Sequence, residues 1–262
     1  MIERIESLSR HIVQTQQRLY ESEIAQKDAS LYALQAQLNP HFMYNTLDCI
    51  CGIANVSGTP QIADVAVALA TMLRYSLSGK TIVPLTEEIE IVKNYLSIME
   101  VRHPNFFTAE FNISPEAEEL MCPKMLLQPI IENTFKHGFV PRTKNAHIVI
   151  SANVDTDRLI ITIFDNGKGF PKEILSELLN NFKQLNNSFY LPSNNSTHIG
   201  LINIQSRIRL NYGKDYGLNI ESEEGKFSKI ILNLPIISKD ENQDVNSTDV
   251  HRSEDLSNLT QN

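Results

Sequence analysis

The chain has 262 residues, of which 42% are hydrophobic, and its formal net charge is −8 at pH 7. This length accommodates two modest domains, or one domain with an extended helical arm. No dense basic block offsets the acidity, which argues against non-specific binding to nucleic acid or to an anionic membrane, so proteins and small ligands are the expected partners.

The cysteine and hydropathy patterns indicate a reduced, cytosolic chain. The cysteines are odd in number, and Cys49 and Cys51 point in different directions on a predicted helix, so neither disulfides nor a cysteine metal site is expected. No apolar run reaches the roughly 18 residues of a membrane-spanning helix. Met1 leads straight into an amphipathic pattern, and no signal peptide is expected.

Residues 1–38 carry a heptad pattern that predicts a parallel coiled coil, with a register break near residues 20–24. Its apolar residues form two sets, offset from each other, and they are Ile5, Ile12 and Leu19, then Ile24, Leu31 and Leu38. The alternative is a single amphipathic helix packed against its own domain. The pattern starts abruptly, as if a segment upstream belonged to it.

Two amphipathic helices are predicted next, at residues 42–55 and 61–77, with a break at Ser57-Gly58-Thr59-Pro60. Each carries one wide apolar stripe. An antiparallel hairpin of this kind cannot close a core alone, so the pattern predicts a homodimeric four-helix bundle.

Pro40 precedes His41 inside the long helical pattern. Proline has no N–H to donate and clashes with the carbonyl one turn back, so a kink is expected at His41. A histidine at a kink is a candidate for chemistry, although a lone histidine on a helix is more often a surface or packing residue.

The rest of the chain mixes helices with strands. A third helix is predicted from Thr86, as its N-cap, to about Arg102, with Glu87 and Glu88 in the first turn. Alternating or continuous apolar runs predict strands at 107–113, 148–154, 159–164, 218–222 and 227–234, and 3.6-residue periodicity predicts helices at 123–137, 171–182 and 200–212. The fold class is therefore α+β, with an α/β sandwich in which helices cover one face of a sheet.

Two segments lack any periodicity. Residues 183–198 are polar and rich in Asn and Ser, which predicts a lid or a disordered excursion. Residues 238–262 are acidic and poor in apolar side chains, which predicts a disordered tail.

The segment 127–138 is the first of three that carry possible ligand chemistry. Asn133 and His137 are four apart and share a helix face, and Glu132 and Lys136 lie beside them. An amide oxygen beside a carboxylate and bases suits Mg²⁺ with phosphates, because Mg²⁺ takes few protein ligands. An ordinary amphipathic helix is the alternative.

The second segment is Asp165 to Phe170, directly after an apolar strand. Asp165 follows Ile161 and Ile163 on one strand face, so its carboxylate is expected to point inward and to need a donor, which the amine of adenine can supply. Gly167 and Gly169 allow a sharp bend near a ligand. Asp-Asn-Gly is also a common turn sequence.

The third segment is 198–204, where Gly200 opens a helix after the polar stretch. Backbone N–H groups at this helix N-terminus suit phosphate. The same sequence is also consistent with a plain helix start.

In this order, and behind a Pro-His helix, the segments resemble the LytS/YesM-type sensor histidine kinases over residues 28–236. The motifs that match are the phosphoacceptor box at 35–45, the N box at 127–138, and the two glycine boxes at 165–170 and 200–210. Glu88, Tyr95 and Arg102 also fit the family's spacing between the two domains.

The resemblance implies a homodimeric kinase in which a GHKL-type domain binds ATP and Mg²⁺. This domain phosphorylates a histidine on the hairpin, and the phosphoryl group passes to an aspartate of a response-regulator receiver domain. The implied domains are a signalling helix at 1–38, a dimerisation and phosphotransfer region with a linker helix at 39–103, an ATP-binding domain at 104–237 and the tail at 238–262.

The resemblance also implies roles for single residues. His41 is the implied phosphoacceptor, Asn133 the Mg²⁺ ligand, Asp165 the adenine contact, Glu132 a polarising group for water or the acceptor, and Ser228 a support for adenine through water. The remaining implied nucleotide contacts are Lys136, His137, Gly167, Gly169, Gly200, Leu201 and Asn203.

The sequence differs at one point from many histidine kinases and departs from the LytS/YesM family at two points. Phe42 stands where many histidine kinases carry an acid, so Asn45, one turn on, is the candidate for orienting the His41 ring. His198 replaces the first glycine of the second glycine box. The membrane anchor and sensor usual in the family are missing, so a cytoplasmic part of a membrane-anchored sensor is expected.

Two alternatives remain open at this stage. One is a dimeric signalling scaffold that binds nucleotide poorly, because of His198 and the irregular lid. The other is a GHKL ATPase or a protein-serine kinase, against which the Pro40-His41 hairpin argues.

Overall fold

The computed structural model describes residues 40–139, 145–184 and 199–238. Backbone contacts divide the chain into two compact units, Met1–Ala70 and Thr71–Asn262. The predicted coiled coil lies outside the described residues, as do most of the predicted lid and of the acidic tail. The kink predicted at His41 depends on the helix that would precede it and stays a prediction.

The first unit contains a helical hairpin. Helix α1 (Pro40–Val56) and helix α2 (Pro60–Leu77) are joined by a short turn, in which Gly58 has a φ of 67°. This left-handed conformation favours glycine. Pro60 is the first residue of α2, where a missing N–H costs nothing. The prediction of two helices around a short break is confirmed, and α2 continues past Ala70 into the second unit.

The second unit alternates helices and strands. After α2, its elements are β1 (Ile82–Pro84), α3 (Leu85–Arg102), β2 (Phe107–Ile113), α4 (Pro115–Glu118), β3 (Met121–Pro123), α5 (Leu127–Asn133), β4 (Ala146–Asp155), β5 (Arg158–Asp165), α6 (Lys172–Gln184), α7 (Ile199–Tyr212), β6 (Gly217–Glu223) and β7 (Phe227–Pro235). Helix α5 continues directly into one π-helical turn, Thr134–Gly138. The predicted alternation of strands and helices is confirmed.

Five strands form one mixed sheet, in the order β2-β4-β5-β7-β6. β2 runs parallel to β4, and the other neighbours are antiparallel. β1 and β3 form a separate antiparallel pair. In the main sheet Asp165 at the end of β5 lies opposite Ser228 near the start of β7, and this register places two polar side chains at one edge of the core.

The core lies on one face of this sheet. Alternate residues of β4, β5 and β7 are buried and pack with the apolar faces of α5 and α7; the central ones are Ile148, Ile150, Leu159, Ile161, Ile163, Leu232, Leu234, Leu127, Ile130, Leu201 and Ile208. Residues between them on β5, such as Thr162 and Phe164, are only partly buried. The α+β class, with helices over one face of a sheet, is confirmed.

One predicted N-cap, Thr86, and one predicted helix start, Pro123, are wrong. Helix α3 begins at Leu85 after Pro84, not at Thr86, and no side chain caps its first N–H groups. The fixed φ of proline and the full burial of Leu85 set this start. Pro123 does not open a helix either, because it pairs with Ile82 in β3 and α5 begins at Leu127.

None of the helices in the described ranges is long and apolar enough to cross a membrane. All three cysteines are free thiols. Cys122 is fully buried, and burial raises its pKa.

Candidate functional site

The end of α5 forms one wall of a cavity in the second unit. The π-helical turn begins directly after Asn133, and single turns of this kind are frequent at functional sites. Asn133, Thr134 and His137 all line the cavity. The prediction that Asn133 and His137 share a face therefore holds, and both side chains belong to one concave site.

Asp165 lies at the inner surface of this cavity, with only 2% of its surface exposed. One carboxylate oxygen, Oδ2, accepts hydrogen bonds from Thr134 Oγ1 at 3.2 Å and from the Ser228 hydroxyl. The other, Oδ1, accepts from the Gly167 N–H at 3.0 Å. Burial raises the pKa of Asp165, and these donors act in the opposite direction.

This arrangement leaves acceptor capacity on Asp165. A carboxylate has about four lone-pair sites, and the described residues place three donors on it, two on Oδ2 and one on Oδ1. The remaining site is on Oδ1, at the wall of a cavity. A ligand N–H group is the partner that such an acceptor needs.

The two glycines after Asp165 are required by close backbone packing. A Cβ on Gly167 would lie 2.6 Å from the Gly138 carbonyl oxygen, and one on Gly169 would lie 2.4 Å from that of Glu223. Gly169 also has a φ of +64°. The segment therefore lies flat against the end of α5 on one side and the β6–β7 hairpin on the other, which places Asp165 beside the cavity.

The cavity has a volume of about 170 Å³. Its lining is apolar in part, with Ile130, Phe170, Pro171, Ile174, Leu201 and Ile230, and polar in part, with Asn133, Thr134, His137, Asp165, Lys168 and Ser228. Apolar walls with a few convergent polar groups are typical of small-ligand sites. A flat heterocycle with an exocyclic amine fits this donor and acceptor set.

Helix α7 begins next to the end of α5. A Cβ on Gly200 would lie 3.5 Å from Asn133 Nδ2, and Leu201 is buried against the cavity. Asn203 is exposed and is not among the lining residues. The second glycine box thus contributes its first turn to the site. His198 lies outside the described residues.

Glu132 and Lys136, also predicted site residues, line a second depression instead. Its volume is about 370 Å³, and the other lining residues are Tyr95, Met99, Arg102, His103 and Phe135. Gln128 Nε2 donates to Glu132 Oε1 at 2.7 Å. Burial, with Glu132 nearby, raises the pKa of Tyr95 to about 12. Consecutive helix residues point in different directions, which separates Glu132 from Asn133.

His41 and Asn45 lie in the first unit, one turn apart on α1, and both are exposed. Asn45 Nδ2 lies 3.4 Å from each ring nitrogen of His41. These separations are longer than the usual hydrogen-bond distance. The amide is therefore within reach of the ring but does not hold it tightly.

Sequence reasoning missed three polar or small residues of the site: Thr134, Gly138 and Lys168. Thr134 directly follows Asn133 inside the N box, and its hydroxyl reaches Asp165 31 positions along the chain. Only the packing of α5 against the end of β5 brings the two together. Lys168 lies between Gly167 and Gly169, and this position inside the glycine segment could have indicated that it lines the site.

Comparison with known proteins gives two family matches. The model described as histidine kinase matches residues 29–107, and the one described as histidine kinase-, DNA gyrase B- and HSP90-like ATPase matches residues 122–238. The first match includes the helical hairpin, and the second includes four of the five strands of the main sheet, β4 to β7.

Curated relatives agree with these matches. Sensor histidine kinase YesM of Bacillus subtilis is 35% identical over 82% of this chain and 35% of its own length. Sensor protein LytS of Staphylococcus epidermidis is 30% identical over 76% of this chain and 32% of its own length. The chain thus spans about a third of the length of these relatives.

Among solved structures, the catalytic domain of histidine kinase ThkA is similar at 18% identity and a TM-score of 0.41, over 60% of this chain and 95% of that one. A likeness at this level adds nothing to the strand order and core given above.

Proposed function

Because the chain belongs to the sensor histidine kinases of the LytS/YesM type, we propose that it uses ATP and Mg²⁺ to phosphorylate its own His41. The phosphoryl group then passes to an aspartate of a response-regulator receiver domain. The observation that carries this proposal is the buried Asp165 carboxylate, which keeps one acceptor site at the wall of a partly apolar cavity.

Asp165 would recognise the adenine ring. Its Oδ1 would accept a hydrogen bond from the exocyclic amine, and the apolar lining from Ile130 and Ile174 would contact the ring faces. Thr134 and Ser228 fix the carboxylate by donating to Oδ2, so Oδ1 is already oriented before the ligand arrives. Ser228 itself reaches adenine only through Asp165 or a water molecule.

Asn133 would hold Mg²⁺ together with the phosphates. The described residues contain no cluster of three or more His, Cys, Asp or Glu side chains that could hold a metal, so a bound Mg²⁺ needs phosphate oxygens and water to complete its octahedron. His137, Lys168 and the first N–H groups of α7, from Gly200 to Asn203, would face the phosphates. Mg²⁺ would neutralise charge that develops on the transferred phosphoryl group.

The neutral imidazole of His41 would be the nucleophile. A ring-nitrogen lone pair forms the bond to the γ-phosphorus, the bond from phosphorus to the bridging oxygen breaks, and ADP leaves with that electron pair. The ring then releases the proton from its other nitrogen. Asn45 would orient the ring, and Glu132 and Lys136 would act from the second depression on the acceptor or the phosphate.

A homodimer is part of the proposal. The hairpin exposes a series of apolar side chains along both helices: Phe42, Met43, Ile50, Ile53, Val56, Ile62, Val67 and Leu69. A second hairpin would cover them in a four-helix bundle. We further propose that residues 104–237 form the ATP-binding domain and that the preceding 1–38 form a coiled coil. We also propose that this chain is the cytoplasmic part of a membrane-anchored sensor, as the family resemblance implies.

The test is autophosphorylation with γ-labelled ATP and Mg²⁺, in the intact chain and in His41→Gln and Asn133→Ala. The expected result is an acid-labile label on the intact chain and none on either variant. His147→Gln is the matched control, because His147 is also partly exposed but lies on β4, where it contacts Thr108. Absence of label on folded, dimeric protein would contradict the proposal.

A further inference from the structure

Glu88 is a buried carboxylate outside the nucleotide cavity. Only 1% of its surface is exposed, although it lies in the first turn of α3. Its Oε1 accepts from the Tyr75 hydroxyl and from the Met125 N–H, and its Oε2 accepts from the Leu126 and Leu127 N–H groups, both at 2.8 Å. Four donors from two different elements therefore converge on one side chain.

Three of these donors are the N–H groups at the start of α5. The first N–H groups of a helix have no partner within it, and an anion at this end also suits the helix dipole. Helix α5 has no side-chain cap of its own at its N-cap residue. Glu88 of α3 supplies that cap from 37 to 39 positions away, so it fixes where α5 begins.

Lys124, directly before this segment, performs the opposite role at the end of α2. Its ammonium donates to the Ser76 carbonyl at 3.2 Å, the Ser78 carbonyl at 2.7 Å and the Ser78 hydroxyl at 3.0 Å, and it lies 4.9 Å from the centre of the Tyr75 ring. The last carbonyls of a helix lack partners, and a cation stabilises that end. Lys124 therefore caps the C-terminal end of α2.

The same segment is bound from a third side by α7. Arg207 Nη1 donates to the carbonyl oxygens of Lys124 at 2.5 Å and Met125 at 3.3 Å. Met125 has a φ of 59°, which is rare for a residue with a side chain. The contacts from Glu88 and Arg207 hold it there, so residues 124–127 connect the end of α2 with the start of α5 and with the second half of α7. Both of these helices also contribute residues to the cavity wall.

We propose that Tyr75, Glu88 and Lys124 couple the last turn of α2 to the nucleotide site, so that each responds to the state of the other. The inference rests on the proposed function in one respect, namely that MgATP binds the cavity. Helix α5 is only about 10 Å long, and its far end carries Asn133. A shift of its capped start therefore moves the Mg²⁺ ligand with it.

The coupling predicts a measurable effect of nucleotide binding on the last turn of α2. Helix α2 is the second helix of the acceptor hairpin and runs unbroken from Pro60 to Leu77. We expect bound nucleotide to stabilise the last turn of α2, because it would hold α5 and the Glu88 cap in place. Coupling between two sites is reciprocal, so loosening that turn should weaken nucleotide binding. Tyr75, Glu88 and Lys124 are positioning residues here, since none of them lines the cavity.

The experiment is hydrogen exchange of the full chain, read on peptides that cover residues 71–80, with Mg²⁺ and a non-hydrolysable ATP analogue or without them. In the unaltered chain the analogue should slow exchange in this segment by about 5-fold or more, the lower range of measured coupling factors. Lys124→Met and Tyr75→Phe should still bind the analogue, but the slowing at 71–80 should disappear.

Two variants separate coupling from general destabilisation. Tyr75→Phe leaves all three backbone donors on Glu88, so α5 keeps its cap while the link to α2 is lost. Lys80→Met is the matched control, because the exposed Lys80–Glu87 ion pair of 3.1 Å lies next to the cluster but outside it; this variant should retain the slowing.

The outcomes are distinct. Analogue binding with no slowing at 71–80 in the unaltered chain overturns the coupling and leaves the proposed function intact. Slowing that persists in both Lys124→Met and Tyr75→Phe also overturns it. Failure of the unaltered chain to bind the analogue overturns the proposed function, and this inference with it.

Discussion

The nucleotide cavity and the helical hairpin differ in how far one chain completes them. At the cavity, Asp165 is paired within the chain with Thr134, Ser228 and Gly167. The hairpin instead exposes large apolar side chains, with Val56 at 92%. A single chain therefore builds a ligand site, whereas its hairpin leaves an apolar surface exposed, which the proposed homodimer would bury.

This difference assigns different physics to the two halves of the proposed reaction. The cavity depends on preorganised hydrogen bonds in a buried environment. Such a network is rigid while every donor and acceptor is paired, and removal of one partner is costly. In the proposed homodimer, the hairpin would be stabilised by apolar burial against its partner. That stabilisation is roughly proportional to the buried area, and the dimer population depends on protein concentration.

The largest expected effect is on the hairpin. Ile53→Glu places a charge in the exposed apolar stripe of α1, and each copy of the dimer then loses about 1.5–3 kcal/mol of apolar burial. Self-association should weaken by at least about 100-fold, as measured by analytical ultracentrifugation. Leu210→Asp, at an exposed apolar residue of α7, is the control and should leave association unchanged. Equal weakening in both variants would break the comparison.

Asp165→Asn tests the cavity. The asparagine keeps an acceptor for the Gly167 N–H and can donate to the Thr134 and Ser228 hydroxyls, but in that orientation it offers no carboxylate to adenine. Loss of a charge-assisted hydrogen bond should weaken nucleotide binding by about 10- to 100-fold, as measured by calorimetry, while the dimer persists. Unchanged affinity would show that Asp165 does not recognise the base.

The same substitution predicts a pH dependence of stability. Burial raises the folded-state pKa of Asp165 above its ordinary value of 3.8, so folding favours the protonated acid. The contribution of Asp165 to the free energy of unfolding is fully present below pH 3.8 and is lost as the pH rises through the folded-state pKa. The unaltered chain should therefore lose stability relative to Asp165→Asn across that window, as measured by denaturant unfolding. A difference that is constant with pH would contradict this.

Replacing one glycine in each region should change stability by a smaller amount, with a loss at the cavity and a gain in the hairpin. Gly167→Ala places a Cβ 2.6 Å from the Gly138 carbonyl oxygen, and this overpacking should lower the free energy of unfolding by about 1–3 kcal/mol. Gly52 of α1 has nothing within 4 Å of its added Cβ, so Gly52→Ala should raise helix stability by up to about 1 kcal/mol. Thermal unfolding measures both, and similar losses in the two variants would contradict the tight packing at Gly167.

The sequence predicted the five strands of the main sheet and the inward direction of Asp165, because both follow from local periodicity. Alternating apolar residues report one buried face of a strand, and the residue after Ile163 on that face is Asp165. It also predicted that Asn133 and His137 share a helix face. These are properties of residues close together in the chain.

What the sequence did not reveal depends on distant contacts. Glu88 has the appearance of an ordinary first-turn acid, and nothing local shows that its donors lie at Met125 to Leu127. The short β1–β3 pair and the late start of α5 have the same origin. These three failures lie in or beside the cluster of Tyr75, Glu88 and Lys124, which joins elements far apart in the chain.

The smallest expected effect concerns the ring of His41. Asn45→Ala should slow autophosphorylation by about 2- to 5-fold, near the lower end of the net contribution of one hydrogen bond, because the 3.4 Å separation and full exposure make the contact weak. Nucleotide affinity should not change, since Asn45 lies on α1. Asn55→Ala is the matched control, because Asn55 also lies on α1 and its amide contacts Cys51 instead of His41. An unchanged rate in Asn45→Ala would show that Asn45 does not orient the acceptor ring.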